Sequence, residues 1–254
     1  DEILRLSFNP FKDWLKKRFE LLEGQTDEIN LIAFSRNIQE LIERTTDAEL
    51  AAELRRTSSV LAALIDISVP GSLYENLDAK GRYDNTLMAL SVLFRAESLQ
   101  KPLILFTEDT HWLDEDTGAF LSYFVRTLLS EPDKQYSLAI IATQRPEGDS
   151  VRMMDEVSMY GIKIGKLSSA SMNLLAEQIL GRPIANSLTK LLDDRADGNP
   201  FFAEQILRYL SEQNALALDA SGKYFANEQA QTSLPMDVRA VLVARLDQLT
   251  RHVR

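Results

Sequence analysis

The residues best able to do chemistry sit together in "LILFTEDTHWLDEDT", from Leu103 to Thr117. An apolar run stops on two carboxylates, Glu108 and Asp109, and His111, Trp112, Asp114, Glu115 and Asp116 follow at once. Adjacent acids at the end of a buried strand are costly unless a cation or a substrate uses them. Such a pair can hold Mg²⁺, which prefers oxygen ligands and keeps several waters, while one of the two acids orients an attacking water. On pattern alone, a solvated strand end is the more frequent meaning of two acids in this place. His111 read by spacing is a structural residue, and a single His makes no metal site.

What the acids can do depends on the elements that carry them. "KPLILFTED" is continuously apolar up to its acids, which predicts a strand buried on both faces. "DTGAFLSYFVRTLLSE" predicts a helix with Asp116 as its N-cap, "QYSLAIIATQRPE" a second buried strand stopped by Arg145-Pro146, and "YGIKIGKLS" a third strand. Strands alternating with helices imply an α/β fold with a parallel sheet and crossover helices. In such sheets ligands bind beyond the carboxyl ends of the strands, where Glu108 and Asp109 lie. Upstream, "ILRLSF" (3–8) alternates as a short strand. "NPFKDWLKKRFELLEG" reads as a helix with Asn9 as N-cap, Pro10 in the first turn and Gly24 at its end. From 28 to 100 the periodicity is almost wholly helical, a long helical insertion interrupted by the polar loop "SVPGSLYENLDAKGRYD". From Ser168 the chain reads as three helices, a hairpin turning at Ser221-Gly222, and a last helix from Pro235. The expected division is an α/β part over 1–167 and a mostly helical part over 168–254.

Composition narrows the function classes. With 254 residues and 45 % hydrophobic residues there is material for a sizeable core. Lys and Arg number 28 against 38 Asp and Glu, a net charge of −10, so bulk charge opposes nucleic-acid and anionic-membrane partners. There is no Cys, which excludes disulfides and thiolate metal sites and fits a reducing cytoplasm.

The segment "KPLILFTEDTHWLDEDT" resembles the Walker B region of the AAA-like STAND ATPases, signal-transduction ATPases with numerous domains. It is closest to the branch found in large regulators and beside adenylate/guanylate cyclase domains. The matching elements are the strand Leu103–Phe106, then Glu108, Asp109, His111, Trp112, Asp114 and Thr117. Two departures are Glu108, where the wider class usually has Asp, and Thr110, where an apolar residue is common. The resemblance implies a P-loop-NTPase-like parallel sheet followed by a helical lid and a winged-helix-like region. It implies ATP and Mg²⁺ as cofactors, with Glu108 and Asp109 as catalytic and metal-binding acids. Thr143 and Arg145 in "SLAIIATQRPE" match a Thr-x-Arg sensor for the γ-phosphate. By spacing alone, Arg145 simply ends a strand. "RADGNPFFAEQIL" is similar to the family's lid segment, which implies Pro200 near the adenine and Arg195 toward the phosphates. Its residues also have a purely structural account: Gly198 ends one helix, Asn199 caps the next and Pro200 opens it. The resemblance places His111 near the nucleotide. Arg245 and Asp247 in the last helix recur in the family, with a structural ion pair as their expected role.

An ATPase of this kind needs the phosphate loop G-x-x-x-x-G-K-[ST], and none occurs in the chain. The nearest stretch, "GIKIGKLSS", is one residue short, places Leu167 where Ser or Thr is required, and reads as a strand. The chain opens on Asp1, and the expectation is a piece that starts just after the loop. The first sheet strand is then missing, "ILRLSF", "PLILFTE" and "SLAIIAT" pair contiguously, and the isolated chain does not hydrolyse ATP. The function implied is an ATP-dependent switch that gates an attached effector, a cyclase or a transcription regulator, with an oligomer allowed on activation. The alternative is a non-catalytic helical scaffold for protein partners. A cyclase catalytic domain does not fit, because the helix-dominated order lacks a βαββαβ core with paired metal-binding Asp.

Overall fold

The computed structural model describes residues 7–22, 24–145 and 160–227. These divide between Tyr160 and Gly161 into two units. The first contains α1 (Asn9–Arg18), α2 (Asp27–Arg44), α3 (Ala48–Leu64), the single turn α4 (Leu73–Asn76), α5 (Ala79–Gln100), β1 (Leu103–Thr107), α6 (Glu115–Ser130) and β2 (Leu138–Ala142). The second contains α7 (Ser169–Leu180), α8 (Asn186–Ala196), α9 (Pro200–Glu212), β3 (Leu216–Leu218) and β4 (Tyr224–Ala226).

Side-chain caps set where the helices of the first unit begin. Thr26, Asp47 and Asp78 accept from the backbone N–H of Ile29, Leu50 and Gly81, which satisfies donors a helix start leaves unpaired. The cap at Asp78 pulls the start of α5 into what the sequence suggested was loop, and α4 forms within that same stretch. Every residue of α5 from Thr86 to Ser98 except Met88 is buried, so α5 is a core helix enclosed on all sides. It packs against α3, α6 and β1. Phe11, Phe94, Phe120 and Phe124 gather around it, with Phe11 edge-on to Phe120 at 4.8 Å and Phe120 stacked on Phe124 at 5.5 Å. Each such buried ring stabilises by about 1.5–3 kcal/mol relative to exposure. Two charges inside this core are paired: Glu97 takes the Arg18 guanidinium, and Arg95 meets Glu131 at 2.8 Å.

β1 and β2 pair in parallel, from Leu103 opposite Leu138 to Thr107 opposite Ala142. The expectation of strands buried on both faces is corrected here. Leu103, Leu105, Leu138 and Ile140 turn into the core, while Ile104, Phe106 and Ile141 are 63 %, 56 % and 47 % exposed. The helices cover one face only, so a run that is apolar at every position has half its side chains uncovered among the described residues. Of the expected strand 3–8, residues 3–6 lie outside the described residues, and Ser7-Phe8 form a turn instead. Asn9 is not the cap of α1: Phe8 holds that position in the left-handed region, and α1 stops at Arg18, well before Gly24. Asp114, not Asp116, caps α6.

Where the second unit begins, the strand expected at 160–168 is absent. Tyr160, Ile162 and Ile164 are 92 %, 77 % and 90 % exposed, without a ladder partner among the described residues. Alternating β-branched residues favour a strand only when a neighbouring strand takes their backbone groups. The three helices do form, around a core of Met172, Ala176, Leu188, Leu192, Ala203, Ile206 and Leu210. The hairpin forms as expected, with Leu216 opposite Ala226 and Asp219 accepting from the turn backbone at Ser221 and Lys223. Ile184 bridges to Tyr224 in parallel, so a short segment between α7 and α8 joins the hairpin. The helix expected from Pro235, with Arg245 and Asp247, lies outside the described residues.

Candidate functional site at the strand ends

The carboxyl ends of β1 and β2 are laced together by one residue. Thr143 donates its N–H to Thr107 O at 2.9 Å, which extends the ladder past both strands. Its carbonyl accepts from Thr110 N at 2.9 Å and from Thr110 Oγ1 at 3.1 Å. Its hydroxyl accepts from Asp109 N at 3.1 Å. Thr110 is thereby buried, at 3 % exposure, and pins the start of a 3-10 turn, Thr110–Trp112. Asp109 sits just before that turn in the left-handed region, at φ 49 and ψ 50, a conformation short polar residues tolerate best.

This backbone lays Glu108 and Asp109 out on the rim of the sheet. Both are exposed, and their carboxylates make no hydrogen bond or ion pair among the described residues. Thr143 keeps its hydroxyl proton available for donation, and the exposed Arg145 follows two residues later on the same strand end. The structure thus brings Glu108, Asp109, Thr143 and Arg145 to the ends of two adjacent strands. His111 lies in the 3-10 turn with its ring 5.2 Å from Trp112, and both of its ring nitrogens are buried without a hydrogen-bond partner among the described residues. A buried donor and acceptor left unpaired each cost about 1–3 kcal/mol.

Asp114 has a different role from its neighbours. It is 8 % exposed, and its Oδ1 accepts from Thr117 N at 2.8 Å while Oδ2 accepts from Thr117 Oγ1 at 2.6 Å. Oδ1 also accepts from Phe8 N at 3.2 Å, across 106 residues of sequence. Asp116 accepts from Ser7 Oγ. Burial, and then the negative charge of Asp116, raise the Tyr83 hydroxyl above its ordinary value. The Asp-x-x-Thr spacing of Asp114 and Thr117 was the available signal for the cap. Nothing local signals the reach to Phe8.

Pro200 and Arg195 belong to the second unit. Pro200 is the first residue of α9 and is exposed, with Asn199 capping the helix through Phe201 N and Phe202 N. Arg195 lies in the last turn of α8. Gly198, between them, is in the left-handed region at φ +74, and its carbonyl accepts from Leu167 N at 2.8 Å. The structural account of "DGNPFF" holds for Asn199 as the cap and Pro200 as the first helical residue, but Asp197 caps α8 ahead of Gly198, and of the two rings expected to pack inward Phe202 is partly buried while Phe201 is 49 % exposed.

As a donor set, Glu108 and Asp109 supply hard carboxylate oxygens open to solvent. Among the described residues no group of three or more acids or histidines could hold a metal ion. A cation at this pair would take its remaining ligands from water or phosphate, which is how Mg²⁺ is usually held. No family model, curated protein or solved structure matches the chain.

Proposed function

We propose that the strand ends carry the magnesium and water side of an ATP site, within a regulatory switch module of the STAND type. The observation that supports this reading is the free Glu108–Asp109 pair on the rim of a parallel sheet, beside Thr143 and Arg145. One carboxylate would hold Mg²⁺ through water, and the other would orient the water that attacks the γ-phosphate. Mg-ATP, when bound, supplies the electrophilic phosphorus and a stabilised leaving group. The Thr143 hydroxyl and the Arg145 guanidinium are suited to the charge that develops on phosphate oxygens. His111, whose nitrogens lack partners, is suited to take one there. The resemblance alone implies nucleotide-contacting roles for Pro200 and Arg195. Such a module gates an attached effector, a nucleotide cyclase or a transcription regulator, when the lid repacks.

No phosphate loop lies within these 254 residues, so the chain by itself is inactive in this reading. A non-catalytic scaffold is the competing reading, favoured by the open apolar face of Ile104, Phe106 and Ile141. Calorimetric titration with Mg-ATP separates the two in stages. This chain should show no low-micromolar binding. A full-length protein that carries a phosphate loop should bind Mg-ATP and hydrolyse it, and Glu108→Gln should abolish turnover while sparing binding. Turnover unchanged in Glu108→Gln and Asp109→Asn, or a full-length protein without the loop, would leave the scaffold.

A further inference from the structure

The bond between Asp114 and Phe8 is not needed to cap α6. Thr117 alone, through its N–H and its hydroxyl, satisfies the requirement of a helix start. Yet Oδ1 reaches Phe8 N as well, at 3.2 Å. Phe8 is an aromatic residue at φ 59 and ψ 21, and its own side chain caps nothing. Left-handed backbone costs an L-residue about 1–2 kcal/mol, so the surroundings must hold Phe8 there. They do so through its buried ring, 5 % exposed and 6.2 Å from Tyr83, and through Asp114. Asp116 adds a second tie on the same turn, to Ser7. The starts of α1 and α6 therefore meet at two carboxylates, and the Phe8 ring brings Tyr83 of α5 beside them.

Asp114 is joined to the 3-10 turn by its peptide bond to Leu113, and from Leu113 hydrogen bonds run back to Asp109. Leu113 N donates to Thr110 O at 3.3 Å, and Trp112 N to Asp109 O at 2.8 Å. Thr110 and Asp109 are fixed in turn on Thr143. A 3-10 turn this short, held on Thr143 at its start and joined through Leu113 alone to the capping Asp114, transmits a shift instead of absorbing it.

We propose that Asp114 is a positioning residue that couples the Ser7–Phe8 turn to the strand-end acids, so that the backbone at the start of α1 sets how Glu108 and Asp109 are presented. This deepens the reading of those acids as part of an ATP site and depends on that reading for its meaning, but the coupling is measurable without nucleotide. Relaxation of Phe8 out of the left-handed region releases its N–H from Asp114. The 3-10 turn then loosens and the bonds of Asp109 and Thr110 to Thr143 weaken.

The test is amide hydrogen exchange by NMR on the 254-residue chain with nucleotide absent. Asp114→Ser keeps a side-chain oxygen able to cap Thr117 N but is too short to reach Phe8 as well. Exchange at the Phe8 amide should accelerate about tenfold or more, the size expected for loss of a hydrogen bond to a charged group. Exchange at Asp109 and Thr110 should accelerate in step, by about threefold or more. Asp114→Asn keeps the shape and a neutral acceptor, so it holds the fold and should move the same three amides together by less. Acceleration at Phe8 alone overturns the coupling, as does an unchanged Phe8 amide in both variants. Failure here would leave the Mg-ATP titration described above as the separate test of the site.

Discussion

Gly181 and Gly198 share a backbone conformation, φ +71 and φ +74, but differ in what surrounds them. A Cβ at Gly181 would meet nothing within 4 Å. At Gly198 it would stand 2.6 Å from Lys166 Cβ, 3.0 Å from Leu167 O and 3.2 Å from Leu167 N. Gly181→Ala should therefore cost only the left-handed penalty, about 1–2 kcal/mol. Gly198→Ala should cost that penalty, about 1–3 kcal/mol of overpacking, and part of the Leu167 N to Gly198 O bond. The excess over Gly181→Ala is then about 2–3 kcal/mol, a large share of what holds a small domain folded. The assay needs a probe of the second unit. Both Trp residues, Trp14 and Trp112, are in the first unit, so tryptophan fluorescence would miss the event. Amide exchange of α8 and α9, or far-UV circular dichroism in urea, reports it. Equal losses in the two variants would refute the close approach of segment 166–167 to Gly198. They would also leave the Gly of "DGNPFF" explained by its dihedral angle alone.

Two further outcomes follow from the paired charges of the first unit. Burial pushes the Glu131 carboxyl up, but bonds from Tyr136 and Arg95 outweigh it and hold the group below its ordinary 4.5. The folded value is depressed, so this stabilisation is present above 4.5 and is lost as the pH falls through the depressed value. Glu131→Gln should flatten the acid limb of a stability–pH profile below about pH 5, and an unchanged limb would exclude Glu131 as its source. Arg18→Met should cost about 3 kcal/mol in urea unfolding, because it leaves the Glu97 carboxylate buried without its partner. The double variant Arg18→Met, Glu97→Met should recover most of that loss, and no recovery would show that the charge pair is not the cause.

Much of the helical skeleton was legible because its signals are local. Apolar residues at spacings of three and four mark 28–100 as helical, where α2, α3 and α5 form, and Asn199 ahead of Pro200 marks the start of α9. The parallel pairing of "LILFT" with "LAIIA" was legible from the helix between them. The strand at 160–168 misled, since alternation specifies a strand only where a partner supplies the ladder. The cap of α6 was misread by two residues because Asp114, Glu115 and Asp116 are all acidic. Only the geometry at Thr117 shows which of them the helix uses.

The sequence alone determined where the acids lie, at the end of a parallel strand, and that no phosphate-loop motif occurs in these 254 residues. Both are properties of residue type and near-neighbour order. The tertiary structure decided that Thr143 fixes the backbone under the acids, that one face of β1 and β2 is open, and that Asp114 reaches Phe8. Those facts depend on residues distant in the chain, and no local periodicity records which distant hydrogen-bond partner a buried carboxylate will find.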